Sequence, residues 1–190
     1  MASKREPSPS LRMRKIALVI CEGETEVCYI NLLKSWYKSP IRIISHIEGT
    51  KITPSLVEKR TRELKLSKWD KVHTFLMYDM DVPSINEKLL ACKAEKLLSN
   101  PCFEIWLLLH AKDQKTAITT DALIKELKKS APVWKNYSKS AFTDTQKSFL
   151  NNNTDVAVAR AKELREFHNP STGIYKLIDL LQKNAKMVNH

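Results

Sequence analysis

Six apolar residues in an unbroken row, Ile16-Ala17-Leu18-Val19-Ile20-Cys21, stop abruptly at Glu22-Gly23-Glu24. A strand with one wet face alternates polar and apolar residues, so an unbroken row this short marks a strand buried on both faces. Such strands belong to parallel sheets covered by helices on each side. The rest of the sequence must therefore supply both the neighbouring strands and the covering helices.

It does so in regular alternation. Thr25 is a candidate N-cap for a helix to about Tyr37, with Val27, Ile30, Leu33 and Trp36 as its apolar stripe. Pro40 stops that helix, Ile41 to Ile47 reads as a second strand, and Gly49-Thr50-Lys51 turns the chain. Thr53-Pro54 opens a helix to about Leu66, with proline suitably in the first turn. His73 to Tyr78 is a third buried strand ending on Asp79-Met80-Asp81, and Pro83-Ser84 starts a helix to about Ala94. Lys96 to Ser99 reads as a short fourth strand, and Asn100-Pro101 opens a strongly apolar helix from Cys102 to Leu109. This order predicts an α/β fold with a parallel sheet of about four strands and right-handed crossovers. Beyond residue 119 only helical patterns remain, at about 120–130, 138–151, 153–168 and 174–185. The expected organisation is a flexible basic tail at 1–14, an α/β core at 15–111 and a helical extension at 112–190 packed on that core.

Charge divides the chain in the same way. The net charge of +11 is concentrated in residues 1–15, 51–71 and 112–147, which carry +4 each. Residues 16–50 and 72–111 are slightly negative, at −1 and −2. An acidic centre framed by basic segments suits a polyanion such as RNA or DNA, provided a cation neutralises the acids. Any single lysine-rich run is equally a solvated surface. Lys51, Lys59, Arg60 and Arg62 are the candidate nucleic-acid-binding residues. The four cysteines form no C-x-x-C pair, which argues against structural zinc and for free thiols in a reducing compartment. No apolar run approaches a membrane span, and the row at 16–21 is too short for a signal-peptide core, so a cytoplasmic location is expected.

Sites in parallel α/β sheets form beyond the carboxyl ends of the strands. Both acidic clusters sit there. Glu22 follows the first strand with Glu26 one helical turn later, and Asp79 and Asp81 follow the third. If those strands are neighbours, four carboxylates converge, and such a set calls for Mg²⁺ or Mn²⁺ to relieve its repulsion. Taken singly, each cluster is also explained as helix-cap or turn chemistry. Glu104, flanked by Phe103, Ile105, Trp106 and Leu107, needs a buried partner or a place beside the metal.

Ile20-Cys21-Glu22-Gly23-Glu24-Thr25-Glu26, Asp79-Met80-Asp81, Ser99-Asn100-Pro101-Cys102-Phe103-Glu104-Ile105-Trp106-Leu107-Leu108-Leu109-His110 and His168-Asn169-Pro170-Ser171-Thr172 resemble the successive signatures of the RloB family. The resemblance spans nearly all of the chain after the basic tail. RloB-like proteins are similar to the Toprim superfamily and to OLD-type nucleases, which implies a Toprim-like, Rossmannoid core. It further implies that Glu22, Asp79 and Asp81 bind a metal and that Glu26 is an additional ligand. The family's association with restriction loci and abortive-infection phage defence implies an ABC-type ATPase as a possible partner. One departure is that only Gly49 stands where a glycine-rich turn is expected after the second strand.

The resulting expectation is an Mg²⁺- or Mn²⁺-dependent endonuclease acting on RNA or DNA, with Glu22, Glu26, Asp79 and Asp81 as its catalytic residues. The alternative is a nucleic-acid-binding or regulatory subunit with little activity alone. A phosphatase using Asp-x-Asp fits less well, since that chemistry places its aspartates after the first strand. Asn100 is expected to cap the helix carrying Glu104, and both are possible neighbours of the metal ligands. For His110 an imidazolium at a helix C-terminus and a functional role stand even. The His168 motif is expected to dock the last helix, and Trp36, Trp69 and Trp134 to pack. The sequence leaves the oligomeric state open.

Overall fold

The row that ends at Cys21 is indeed a strand with both faces covered. In the computed structural model, which describes residues 14–139 and 141–186, β1 spans Lys15–Cys21 and every residue after Lys15 in it is buried. Its side chains alternate between two cores, Ala17, Val19 and Cys21 entering one and Leu18 and Ile20 the other. The elements that follow are α1 (Glu24–Tyr37), β2 (Ile41–Ile47), α2 (Pro54–Glu63), β3 (Lys71–Met77), α3 (Pro83–Ala91), β4 (Glu95–Lys96), β5 (Ser99–Asn100) and α4 (Glu104–Ala111). The chain then runs through α5 (Thr120–Ser130), α6 (Asp144–Lys162), β6 (Ser171–Thr172) and α7 (Tyr175–Lys186).

The main sheet has the order β2-β1-β3-β4 and is parallel throughout. The first and third strands are therefore neighbours, and Cys21 lies opposite both Ile47 and Met77, so the three long strands end level. One face packs against α1 and α4–α7 in a single large core, and the other against α2 and α3 in a smaller one. Helix α4 lies inside the larger core, and every residue from Glu104 to His110 is buried. Among the described residues no helix is long and apolar enough to cross a membrane.

Several local expectations change. The strand expected at Lys96–Ser99 is split into β4 and β5. The chain stays beside β3 through Leu97 N–H to Leu76 O at 2.8 Å and Ser99 N–H to Tyr78 O at 2.9 Å. It then pairs antiparallel with β6, some seventy residues downstream, a partner that no local pattern announces. The helices expected at 138–151 and 153–168 are one helix, α6. The polar run Asn151-Asn152-Asn153-Thr154 does not break it, because Asn153 Nδ2 and the Thr154 hydroxyl donate to the carbonyls one turn back, both at 2.8 Å. The start of α6 is instead the capping box of Thr143 and Gln146. The N-cap of α1 is Gly23 rather than Thr25. Of the expected basic tail only Arg14 lies among the described residues, and it forms a two-pronged pair with Asp70 at 3.0 and 2.6 Å. Trp134 and Trp36 pack as expected, but Trp69 is 52% exposed in the α2–β3 connection, with the Lys68 ammonium 4.8 Å over its ring.

Candidate active site

Because β1 and β3 are neighbours and end level, Glu22 and Asp79 emerge side by side. The contact is direct: Asp79 N–H donates to Glu22 Oε2 at 2.9 Å. Asp79 Oδ1 in turn accepts the Phe103 N–H at 2.7 Å, at the head of α4. Glu26 folds back to accept the Gly23 N–H at 3.0 Å, the reciprocal half of a capping box, and is 7% exposed. Glu104, 1% exposed in the first turn of α4, accepts from the Tyr137 hydroxyl through Oε1 at 3.1 Å. The same oxygen lies 3.4 Å from Lys139 Nζ, while Oε2 is buried without a partner.

The electrostatics tie these groups together. Burial pushes the Asp79 carboxyl up to about 8, and Glu26, Glu22 and Glu104 push it the same way against the Phe103 N–H. Burial also holds Glu22 above the ordinary carboxylate range, with the Asp79 N–H opposing, Asp81 adding to the rise and Lys139 opposing it. Glu26 is raised by burial, then relieved in part by backbone N–H groups, with Glu22 and Glu104 adding to the rise. Burial works to lower the Lys139 ammonium, yet Glu104, Cys102 and Asp79 together carry it above its usual value. Glu22, Glu26, Asp79 and Glu104 thus form one mutually repelling set, with exposed Asp81 at its edge.

The donor chemistry fits a hard divalent cation, which takes carboxylate oxygens and relieves their repulsion. The orphaned buried oxygen of Glu104 points the same way. As the side chains stand, however, no group of three or more His, Cys, Asp or Glu among the described residues is arranged to hold a metal ion. The backbone N–H groups of Gly23, Asp79 and Phe103 take three of the carboxylates instead.

A family model described as RloB-like protein matches residues 17–181, almost the whole chain. The chain belongs to the RloB-like family. No curated protein and no solved structure matches it.

Other expected site residues of this RloB-like chain lie elsewhere. Asn100 does not cap α4. Its Nδ2 donates to Phe167 O at 3.1 Å, holding the β5–β6 clasp. Phe103 is the N-cap, and no side chain caps the helix through it. Lys51, Lys59 and Arg62, with Glu48, Thr53, Ser55 and Leu56, line a concavity of about 430 Å³ beside the amino end of α2. Arg60 is engaged within the chain by Glu48 and Glu63. His110 is neutral, not an imidazolium: burial pushes it down to about 4, and its Nδ1 contacts Trp106 O at 2.8 Å. His168 is exposed and contacts Glu166 O, while Thr172 accepts the Ile174 N–H ahead of α7. Tyr137 and Lys139 at the site were not singled out by sequence. Tyr137 falls between the helical patterns, and Lys139 falls at the start of the one expected at 138–151, where nothing separates it from the other lysines.

Proposed function

We propose that this RloB-like chain is a Toprim-type nuclease that hydrolyses phosphodiester bonds of RNA or DNA with Mg²⁺ or Mn²⁺. The observation that carries the reading is the 2.9 Å bond between Glu22 Oε2 and the Asp79 N–H. It joins the acidic ends of two adjacent strands, where the resemblance to Toprim proteins puts metal ligands. Glu22, Asp79 and Asp81 would hold the ion, with Glu26 as a further ligand. Bound there, the ion supplies phosphate neutralisation and a water of lowered pKa. The chain's own contribution is to hold the carboxylates beside one another and to present Lys51, Lys59 and Arg62 as backbone-holding charge. Phage defence in the cytoplasm beside an ABC-type ATPase is the biological setting that the family resemblance suggests.

The purified protein is expected to cut RNA or DNA in Mn²⁺ or Mg²⁺ and not in EDTA. Glu22→Ala and Asp79→Ala should remove cutting while leaving the fold intact. If both variants cut as fast as the parent, the assignment is wrong. A second reading is a nucleic-acid-binding or regulatory subunit, favoured by the carboxylate oxygens being engaged by backbone N–H groups. Salt-sensitive binding without cutting in any divalent ion would select it.

A further inference from the structure

Among the described residues, the four inner carboxylates make a single ion pair, that of Glu104 with Lys139. Lys139 comes from the connection between α5 and α6, the helical part of the chain, and not from the sheet. Two features distinguish this lysine from an ordinary buried counter-ion. First, Glu104 Oε1 already accepts the Tyr137 hydroxyl at 3.1 Å, and the ammonium stands off at 3.4 Å, so the oxygen does not depend on it. Second, the Lys139 side chain is 57% exposed although it lies over a carboxylate that is 1% exposed. Its backbone, by contrast, is anchored: the Thr25 hydroxyl, in the first turn of α1, donates to the Lys139 carbonyl. The same first turn carries Glu26, and Glu22 lies just ahead of it. The backbone of Lys139 is therefore fixed relative to the acids, while its side chain is more than half exposed.

A compact ammonium on a flexible stem is a natural phosphate binder. The ammonium and a divalent ion held by the carboxylates would draw on the same negative potential, so Lys139 would be left available to another anion. An arriving phosphodiester meets positive charge on both of its sides. We propose that Lys139 is a phosphate-holding residue of the acidic site, resting on Glu104 in the free protein and engaging a non-bridging oxygen of the bound phosphodiester. The site is then composite, with carboxylates from the sheet ends and α4 and a cation from the helical region. This inference rests on the nuclease reading above.

The test compares Lys139→Gln and Lys139→Arg with the parent. Mn²⁺ affinity is read by electron paramagnetic resonance of the free ion. Affinity for fluorescein-labelled, phosphorothioate-linked oligonucleotides, DNA and RNA, is read by anisotropy in Mn²⁺ at several salt concentrations. The expected result for Lys139→Gln is Mn²⁺ binding about threefold tighter and oligonucleotide binding about tenfold weaker, with a salt slope lower by roughly 0.7. Lys139→Arg should keep the parent's oligonucleotide affinity. A Lys139→Gln protein that binds the oligonucleotides as tightly as the parent overturns the proposal. Loss of Mn²⁺ affinity also overturns it, because the lysine then only organises the carboxylates. If the parent itself binds neither Mn²⁺ nor oligonucleotide, the nuclease reading falls and this inference with it. If the parent binds both and the variants do not differ from it, this inference alone falls.

Discussion

Replacing Asp79 by Asn changes the charge of the carboxylate set while leaving Oδ1 able to accept the Phe103 N–H. In the unfolded chain the Asp79 carboxyl ionises near 3.8, whereas in the fold burial and the neighbouring carboxylates raise it to about 8. Between those values the folded state holds a proton that the unfolded state has lost, so stability falls as pH rises and levels off above the folded value. The contribution is fully present only below 3.8. From pH 6.5 to 8 the loss amounts to about 2 kcal/mol, at ~1.4 kcal/mol per pH unit. That window lies above the ordinary histidine value of 6.5, so the titration of His110 does not overlap it. Urea unfolding of the parent in EDTA at a series of pH values should show this decline, and Asp79→Asn should be flatter by about that amount. Saturating Mn²⁺ should flatten the parent's curve too, since a bound cation favours the ionised carboxylates. An Asp79→Asn curve parallel to the parent's in EDTA would show that Asp79 is not coupled to its neighbours as described.

Below pH 6.5 the gain from Asp79 is opposed by His110. Its folded pKa is depressed to about 4 from 6.5, so its contribution is present above 6.5 and is lost as pH falls through the folded value, by roughly 3 kcal/mol. His110→Met, similar in volume and unable to take up a proton, should gain about that much on the parent between pH 6.5 and 4 in the same urea series; a difference between the two that does not change with pH would assign the acid lability to another group. Gly173→Ala places a Cβ 2.6 Å from the Lys96 carbonyl oxygen and 3.1 Å from Leu97 Cα. Backbone must shift to admit it, so a thermal melt should register about 1–3 kcal/mol of destabilisation, and an unaltered midpoint would mean that β4 and β6 are not so closely packed.

The central sheet was legible because its signal is local. The continuous apolar row at 16–21, the apolar run at 75–78 and prolines at helix starts needed only a few neighbouring residues to be read. The pairing of β1 with β3, on which the acidic cluster depends, was only a condition in the sequence, because alternation implies a parallel sheet but not its strand order; the sheet order supplies it. What escaped was non-local or side-chain specific. The β5–β6 clasp joins residues far apart in sequence, so Asn100 was read as a helix cap when it is an anchor for Phe167. The polar stretch in the middle of α6 resembled a break because its back-bonding to carbonyls cannot be seen in composition. Lys139 is one of many lysines, and only its place over Glu104 sets it apart.

Helix α4 has no free side. A surface helix can absorb substitutions on its outward positions without penalty, so related sequences drift apart there. From Glu104 to His110 there is no outward position: α5, α6 and the Tyr29 ring of α1 pack against it, and Asp79 holds the entrance. Any exchange along this stretch must be matched by one in a neighbour packed against it. The segment's value as a signature is thus a matter of crowding as much as chemistry, and a designer wishing to diversify this scaffold would begin almost anywhere else.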